Sequence, residues 1–332
     1  MIGTQRSGSN LLRVMLDGLD GITAPHPPHI LQRFLPLLDR YGDLGAEANF
    51  RSLAVDVCEL VRINPVPWTG VTLDADEVVR GCKGRTLFDI YRTVYETAAR
   101  QHGASIWVNK SMKNAFYADG IEATGLRPKY IYLYRDGRDV ALSFQKAIVG
   151  EKHVYAIAKA WKKDQEEAFR LIERIPAARF FSLSYENLTD DPEQAMRKIC
   201  AFLGVAYSDK AMDYYNSGES RSTAAGGEMW RNVTRPVMKH NTGKFMTEMS
   251  PDELAIFESV AGDTLVKLGY ALVTPPSRLR TSFEEEEIRG FEEENARLKR
   301  AFAENMSAAD IEKRRPQAEL LRRIAAREVQ GQ

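Results

Sequence analysis

The chain has 332 residues, of which 44% are hydrophobic and 28% are charged, as expected for one large or two small globular domains. Its 46 basic and 46 acidic residues give a formal net charge of zero, so the composition indicates no overall attraction to nucleic acid or to an anionic membrane. No apolar run is long enough for a transmembrane helix, and three widely spaced cysteines indicate free thiols in a reducing compartment.

A glycine-rich loop opens the chain. Gly3 and Gly8 are separated by four residues, as in the phosphate loop G-x-x-x-x-G-K-[ST], but Ser9 and Asn10 stand where that loop has Lys and Ser or Thr. A basic residue, Arg6, lies inside the loop instead. A helix is predicted to follow at once, and its N-terminus adds a positive dipole end. The pattern indicates an anion-binding loop for a nucleotide whose reacting group needs no Mg²⁺ clamp.

The segment before this loop is unusually short. Such a loop normally follows a buried strand of about five residues, and only Met1 and Ile2 precede Gly3. We therefore expect the biological start to lie upstream of Met1. The N-terminus also lacks the charged segment and apolar run of a secretory signal, and we expect a cytoplasmic protein.

Short predicted strands alternate with predicted helices through residues 1–275, which favours a P-loop-like α/β fold with a parallel sheet flanked by helices. In such sheets ligands bind beyond the carboxyl ends of the strands. Polar motifs follow four predicted strand ends, so we expect one shared site. Beyond the stub at Ile2, strands are predicted at 106–110, 129–134 and 179–183, and helices at 10–18, 30–41, 46–63, 86–102, 140–148, 154–174, 191–203 and 250–268.

The composition changes after Pro275-Pro276. Acidic runs occur at 284–287 and 292–294, and a basic run follows at 313–315. Apolar residues at helical spacing predict one or two amphipathic helices over 280–328, separated near Pro316. We divide the chain into an α/β domain (1–275) and a charged helical C-terminal extension (276–332). The extension is expected to pack against the body or to form a homodimer.

A second motif follows the predicted strand at 129–134. Arg135 leaves the strand end, and Ser143 lies eight residues later on the next helix, so both can face one anion. Together with the glycine-rich loop, this motif resembles the nucleotide-binding pair of the sulfotransferases that use 3′-phosphoadenosine 5′-phosphosulfate (PAPS). The loop is similar to their 5′-phosphosulfate loop, and the stretch from Arg135 to Ser143 is similar to their 3′-phosphate motif.

Later segments are similar to the same family, in particular to its membrane-type and tyrosylprotein branch. The resemblance covers about residues 2–272. It implies an enzyme that moves a sulfuryl group in line from PAPS to an acceptor hydroxyl, or to an amine, without a metal. The segments that carry the likeness are 107–110, 184–188 with 191–193, 199–204 and 241–245.

The resemblance also assigns roles to residues. Two cations, Arg6 and Lys110, would stabilise charge on the sulfuryl group and the bridging oxygen. Tyr185 would contact the adenine region, and Lys244 would reach the phosphosulfate from a later loop. The remaining nucleotide-binding residues are Ser7, Gly8, Ser9 and Asn10 with Arg6 for the 5′-phosphosulfate, and Arg135 and Ser143 for the 3′-phosphate.

The general base departs from the family pattern. The tyrosylprotein branch has a glutamate after the first helix, where this chain reads Ala-Pro-His26-Pro-Pro-His29. Counting residues from Arg6 places the base beside His26. Matching the Pro-Pro pattern of bacterial-type members places it at His29. An imidazole suits proton transfer near neutral pH, so we expect His29 or His26 to be the base. Either one could instead cap the helix or pack beneath the loop.

Other positions also differ from the family. A family serine is replaced by Met229, and its role would pass to Asn232 or Thr234, which could equally be turn residues. Three aromatic residues are predicted to lie in the core. They are Trp161, Trp230 and Phe169. His102, His153 and His240 lack metal-ligand spacing, so no metal site is predicted.

The acceptor cannot be read from these motifs. Residues 30–105 and 206–240 are the predicted acceptor walls, and carbohydrate, lipid, small phenol or alcohol, and peptide remain open. Two alternatives to a sulfotransferase are a nucleotide-binding protein without catalysis and a P-loop kinase, which Ser9 and Asn10 disfavour. The aromatic residues that could line a pocket or fill the core are Trp68, Tyr91, Tyr95, Tyr207, Tyr214 and Tyr215.

Overall fold

The computed structural model describes residues 1–239 and 241–329. Parallel strands form its centre, and their bounds are β1 Ile2–Gly3, β2 Ile22–Thr23, β3 Ile106–Trp107, β4 Tyr130–Tyr134 and β5 Phe180–Ser184. One sheet has the order β1-β4-β5, and a second consists of β2 and β3. The two sheets meet where the Met1 amino group donates a hydrogen bond of 2.7 Å to the Asn109 carbonyl. The predicted strand at 106–110 therefore pairs with β2 rather than with β1 or β4.

Helices cover the strands and form additional layers. The first group is α1 Ser9–Asp17, α2 Ile30–Phe34, α3 Glu47–Arg62, α4 Ala75–Gly81, α5 Leu87–Gln101 and α6 Ala118–Ala123. The second group is α7 Gly137–Gln145, α8 Val154–Arg174, α9 Tyr185–Asp190, α10 Pro192–Leu203, α11 Gly218–Ala225, α12 Phe245–Glu248, α13 Pro251–Lys267, α14 Glu285–Glu304 and α15 Ala308–Ala325.

The alternation along β4 explains why the sheet is covered on both faces. Tyr132 packs with Leu171 of α8 on one side. Leu133 packs with Leu12 of α1 and Met196 of α10 on the other. Because successive side chains of a strand point to opposite faces, only the strand ends remain open to a ligand. The predicted α/β architecture, a parallel sheet flanked by helices, is confirmed.

Two predicted helices have different bounds in the structure. The helix predicted at 30–41 ends at Phe34 and continues as a 3₁₀ helix over Leu35–Arg40. Pro36 lies in the first turn of that segment and has no N–H to donate. The helix predicted at 140–148 begins earlier, at Gly137, because the Asp136 side chain accepts from the Arg138 amide at 3.0 Å.

The C-terminal helices are separated at residues 305–307, not near Pro316. Ser307 caps α15 by accepting from the Asp310 amide at 3.1 Å, and Pro316 lies inside α15. Packing of Leu320 and Ile324 into the cluster formed by α3 and α5 offsets the lost backbone hydrogen bond. The division at 275/276 and the homodimer stay predictions.

Arg138 connects the end of β4 to the last part of the α/β body. Its guanidinium is buried, pairs with Asp136 at 2.7 Å and with Glu258 of α13 at 2.5 Å, and donates to the Ala271 carbonyl at 3.0 Å. The same Glu258 carboxylate accepts from the Val273 and Thr274 amides. Removing one member of such a buried network leaves charge without compensation.

We predict that Glu258→Gln lowers the free energy of unfolding by about 3 kcal/mol, because Arg138 then loses a buried ionic partner. Urea unfolding followed by circular dichroism measures this change. The matched control is Asp263→Asn on the same helix, which breaks an exposed pair with Lys162 and should cost less than about 1 kcal/mol. Equal losses in the two variants would contradict the assignment of Arg138 as a structural hub.

Candidate functional site

The glycine-rich loop (residues 3–10) lies against α7 and α9. Gly8 has a φ of 82°, and a Cβ there would lie 2.5 Å from Cδ2 of Tyr185, so only glycine fits under this ring. Arg6 also has a left-handed backbone, with φ 72°, and its Nε donates to the Ser143 hydroxyl at 3.0 Å. A non-glycine residue in this conformation stores strain, which is typical of functional sites.

Arg135 joins the loop to two other segments. Its Nη1 donates to the Arg6 carbonyl at 3.2 Å, and its Nη2 donates to the Asn241 carbonyl at 2.6 Å. Its guanidinium lies 4.4 Å from the centre of the Tyr185 ring. Tyr185 in turn accepts from the Asn241 amide at 2.8 Å. The two motifs singled out in the sequence therefore meet at one place.

Asp139 positions the later loop that carries Lys244. Its carboxylate is buried and accepts from the Gly243 amide at 2.7 Å and from the Phe245 amide at 3.0 Å. It also lies 3.6 Å from Arg135. Lys244, between the two amides, is exposed. The sequence analysis assigned no role to Asp139, although its spacing of four residues from Arg135 is a helical i,i+4 pair that could have indicated one.

Two adjacent spaces open at the strand ends. The Arg135 cleft has a volume of about 750 Å³ and is lined by Arg135, Ser143, Tyr185 and Lys244. The histidine cavity has a volume of about 550 Å³ and is lined by His26, His29 and Lys110. The residues that line both are Arg6, Ser9, Asn10, Met229 and Trp230. The glycine-rich loop thus forms the junction between the two spaces.

The two histidines differ in their surroundings. His26 is 4% exposed, and its ring packs on Trp230 with centres 4.4 Å apart. Its carbonyl accepts from Trp68 Nε1 at 2.7 Å, and its buried Nε2 has no partner among the described residues. His29 is half-buried, has a φ of 59° and precedes α2 without a side-chain cap. The alternative role of His29 as a helix cap is therefore wrong.

Burial and nearby cations lower the pKa values of Lys110 and of the two histidines. Burial, with Arg13 and Arg6 nearby, lowers the pKa of Lys110 to about 7. Burial and the positive charge of Lys110 lower the pKa of His29 to about 3, and the pKa of His26 is also lowered well below its usual value. Because cations repel one another in a low-dielectric space, an anion bound here would raise these pKa values.

Several polar atoms around the loop are buried without a partner among the described residues. They are Ser7 Oγ, Asn10 Oδ1 and Arg135 Nε. Buried polar groups are normally hydrogen-bonded, and an unpaired group carries a desolvation cost. Asn10 and Arg135 line the Arg135 cleft together with Arg6, whereas Ser7 is fully buried and lines neither space.

The structure separates the residues considered for the missing family serine. Met229 and Asn232 line the Arg135 cleft. The Thr234 hydroxyl instead donates to the Arg231 carbonyl at 2.8 Å, as a turn residue does. Trp161 is buried in the core as predicted, and Phe169 is half-buried beneath Lys267. The prediction that Trp230 lies in the core is wrong, because Trp230 lines both spaces.

The aromatic residues of the predicted acceptor walls lie in different places. Trp68, Tyr91 and Tyr95 fill the core between α3 and α5. Tyr214 lines the Arg135 cleft, whereas Tyr207 and Tyr215 pack at the edge of another core cluster. Two residues that the sequence analysis did not name, Arg33 and Arg314, line the histidine cavity. His240 lies outside the described residues.

Within residues 1–239 and 241–329, no helix combines the length and the apolar character needed to cross a membrane. In the same part of the chain, His, Cys, Asp and Glu side chains form no group of three suited to hold a metal ion.

Relatives with known names share part of this sequence. Protein-tyrosine sulfotransferase 2 of Gallus gallus is 24% identical over 289 residues, which cover 83% of this chain and 70% of the relative. Sulfotransferase 1A1 of Bos taurus is 24% identical over 181 residues, which cover 47% of this chain and 58% of the relative.

Solved structures share the fold. The sulfotransferase domain of the Synechococcus PCC 7002 olefin synthase has a TM-score of 0.54 and 23% identity, covering 78% of this chain and 92% of the domain. The sulfotransferase domain of the curacin biosynthetic pathway has a TM-score of 0.52 and 21% identity, covering 82% of this chain and 97% of that domain. The sequence profile described as "Sulfotransferase family" matches residues 1–209, well over half of the chain. The protein therefore belongs to the sulfotransferase family.

Proposed function

We propose that the protein transfers a sulfuryl group from PAPS to an acceptor hydroxyl, with an amine as the less favoured acceptor. The observation that carries the proposal is the contact between the two anion-binding motifs. Arg6 Nε lies 3.0 Å from the Ser143 hydroxyl, and Arg135 donates to the Arg6 carbonyl. One cleft thus brings two arginines and the Ser143 hydroxyl together, and the phosphate groups of a nucleotide would offset this charge.

The residues of the Arg135 cleft fit such a nucleotide. The unpartnered Asn10 Oδ1 and Arg135 Nε belong to residues that line the cleft, and a bound anion and its sugar could satisfy them. Arg135 and Ser143 would hold the 3′-phosphate, and Tyr185 would contact the adenine region. Residues 6–10 would hold the 5′-phosphosulfate, and Lys244 would reach it from the loop that Asp139 fixes.

The histidine cavity would receive the acceptor. We propose His29 as the general base and His26 as the alternative, because the His29 ring is half-buried at the cavity whereas His26 is packed on Trp230. The acceptor oxygen forms a bond to sulfur while the bond between sulfur and the phosphate oxygen breaks. The hydroxyl proton passes to the imidazole, and the electron pair leaves with 3′-phosphoadenosine 5′-phosphate (PAP).

Arg6 and Lys110 would stabilise the charge that develops in this step. Arg6 lines both spaces, and Lys110 lines the histidine cavity within electrostatic range of Arg6. Fixed cations in a buried site stabilise a charged transition state more than they would in water. The nucleotide supplies the sulfuryl group, and the chain supplies the cations that hold it.

We predict that PAP at a hundred times its Kd stabilises the protein by about 2.7 kcal/mol, measured as a thermal shift. Arg135→Lys keeps the charge but loses the planar fork, so it should weaken PAP binding at least about tenfold. Arg197→Lys, in an exposed pair with Glu193, should bind PAP as the wild type does. Stabilisation by ATP with Mg²⁺ but not by PAP would favour a kinase and reject the proposal.

We predict that His29→Ala reduces turnover about a hundredfold or more while the PAP thermal shift is kept. Turnover is measured as PAP released from PAPS in the presence of a panel of hydroxyl acceptors. The control is His102→Gln, at the exposed end of α5, which should keep the turnover of the wild type. If His26→Ala loses turnover and His29→Ala does not, the base is His26. If both variants stay active, neither histidine is the base.

We predict that PAP binding at pH 8 takes up as much as about one proton. Free Lys110, with its pKa near 7, is then mostly neutral, and a bound anion raises that pKa and favours the charged form. Affinity should therefore fall as pH rises above 7. Calorimetry in buffers of different ionisation enthalpy measures the uptake. Lys110→Met should abolish it, and Lys146→Met, in an exposed pair with Glu248, should not. Uptake retained in Lys110→Met would contradict this role.

A further inference from the structure

Two arginines line the histidine cavity in addition to Arg6 of the glycine-rich loop. Arg33 belongs to α2 and Arg314 to α15, so they come from opposite ends of the chain. Both line the histidine cavity, and neither lines the Arg135 cleft. Residues that line both spaces mark the place where the sulfuryl group would lie. Arg33 and Arg314 therefore face the acceptor rather than the nucleotide.

Neither arginine has an ionic partner within 4.0 Å among the described residues. Arg33 Nη1 donates to Gln317 Oε1 at 2.5 Å, which is a neutral amide oxygen. Arg314 Nη2 lies 3.3 Å from the Met229 sulfur, and its buried Nε has no partner. Half-buried arginines usually pair with a carboxylate, because the desolvated charge is otherwise costly.

The nearby carboxylates are committed elsewhere. Asp164 pairs with Lys113. Glu151 pairs with Lys299 at 3.1 Å. Asp310, one turn before Arg314, attracts it electrostatically, but Asp310 is buried at the cap of α15 and lines the Arg135 cleft.

The histidine cavity therefore has an excess of positive charge. Five cationic side chains line it, Arg6, Arg33, Lys110, Lys113 and Arg314, against the two carboxylates of Glu151 and Asp164. Burial and the charge of Arg314 lower the pKa of Arg33 to about 10, so these two arginines lie within electrostatic range of each other. An anionic group beside them would relieve the repulsion.

We propose that the acceptor carries a carboxylate or phosphate group and that Arg33 and Arg314 hold this group while the acceptor hydroxyl faces His29 and Lys110. The inference rests on the proposed sulfuryl transfer. The guanidinium fork matches both anions, and two forks fix the direction of the bound molecule. The C-terminal helix α15 thereby completes the acceptor cavity, because it supplies Arg314.

The test uses the whole protein with PAP at saturation. Thermal shift is measured on addition of acetate, inorganic phosphate or acetamide at constant ionic strength. Acetamide has the shape of acetate without its charge. The wild type should be stabilised by at least one of the two anions and not by acetamide. Comparing the thermal shifts with acetate and with phosphate identifies the preferred anion. Arg33→Gln and Arg314→Gln should weaken the response at least tenfold.

The matched control is Arg315→Gln. Arg315 is next to Arg314 but is exposed and paired with Glu312 at 2.6 Å, so its variant should respond as the wild type does. Arg314→Gln should unfold at the same temperature as the wild type or higher without ligands, because it removes an unpaired buried charge. Loss of its anion response then cannot be ascribed to misfolding.

Two results would overturn the inference. One is no stabilisation of PAP-saturated wild type by either anion, and the other is an unchanged response in both Arg→Gln variants. The same titrations without nucleotide separate the two proposals. If PAP gives no thermal shift, the proposed sulfuryl transfer is rejected. The acceptor inference is decided separately, by whether the thermal shift with the anions depends on Arg33 and Arg314. With an active acceptor in hand, Arg314→Gln should raise KM at least tenfold with little change in kcat.

Discussion

Positive charge buried without an equal number of carboxylates is the constraint on which this site depends. Lys110 is 6% exposed, and Arg6 lies close enough to lower its pKa. A cation in such a place destabilises the folded chain unless an anion shares the space. The surrounding packing must hold these groups together before any ligand arrives. Arg6 and His29, both with left-handed backbones and both facing the histidine cavity, show that the backbone is strained to do so. The strain and the repulsion are consistent with a site organised around a negatively charged ligand.

The segment Arg135-Asp136-Gly137-Arg138-Asp139 supports that site from two sides. Arg135 and Asp139 are four residues apart and face the glycine-rich loop and the loop at 241–245. Asp136 instead pairs with Arg138, and Arg138 binds Glu258 of α13. The short helix start therefore uses one pair of charges for the two loops at the site and the other for the body. A change in either pair would move the start of α7, and with it Ser143.

Features encoded by neighbouring residues could be predicted from the sequence. The glycine-rich loop, the strand before Arg135 and the helix predicted at 250–268 depend on local geometry, and the structure contains each of them. Features made by distant segments could not. Arg33 contacts Gln317 across 284 residues of chain, and no local pattern indicates that they meet. Pro316 was expected to break a helix, but packing of Leu320 overrode the local preference. Trp230 is of a residue type that is usual in a core. It lies at the cavity because the 3₁₀ segment at Glu228–Thr234 meets α15 there.

The basicity of the histidine cavity follows from the same constraint. A general base works best when its pKa lies near the working pH, and the pKa of His29 without ligand is about 3. Burial is the larger cause, and the charge of Lys110 is the next. An anion beside Lys110 would cancel the second cause, and an anion beside Arg33 would cancel a third. Under the proposed function, each bound anion would therefore make His29 a stronger base, and the two together would do so most. By linkage, protonation of the imidazole would in turn strengthen the binding of both anions. Protonation of His29 and binding of the two anions then favour each other, because the charge of each offsets the charge of the other.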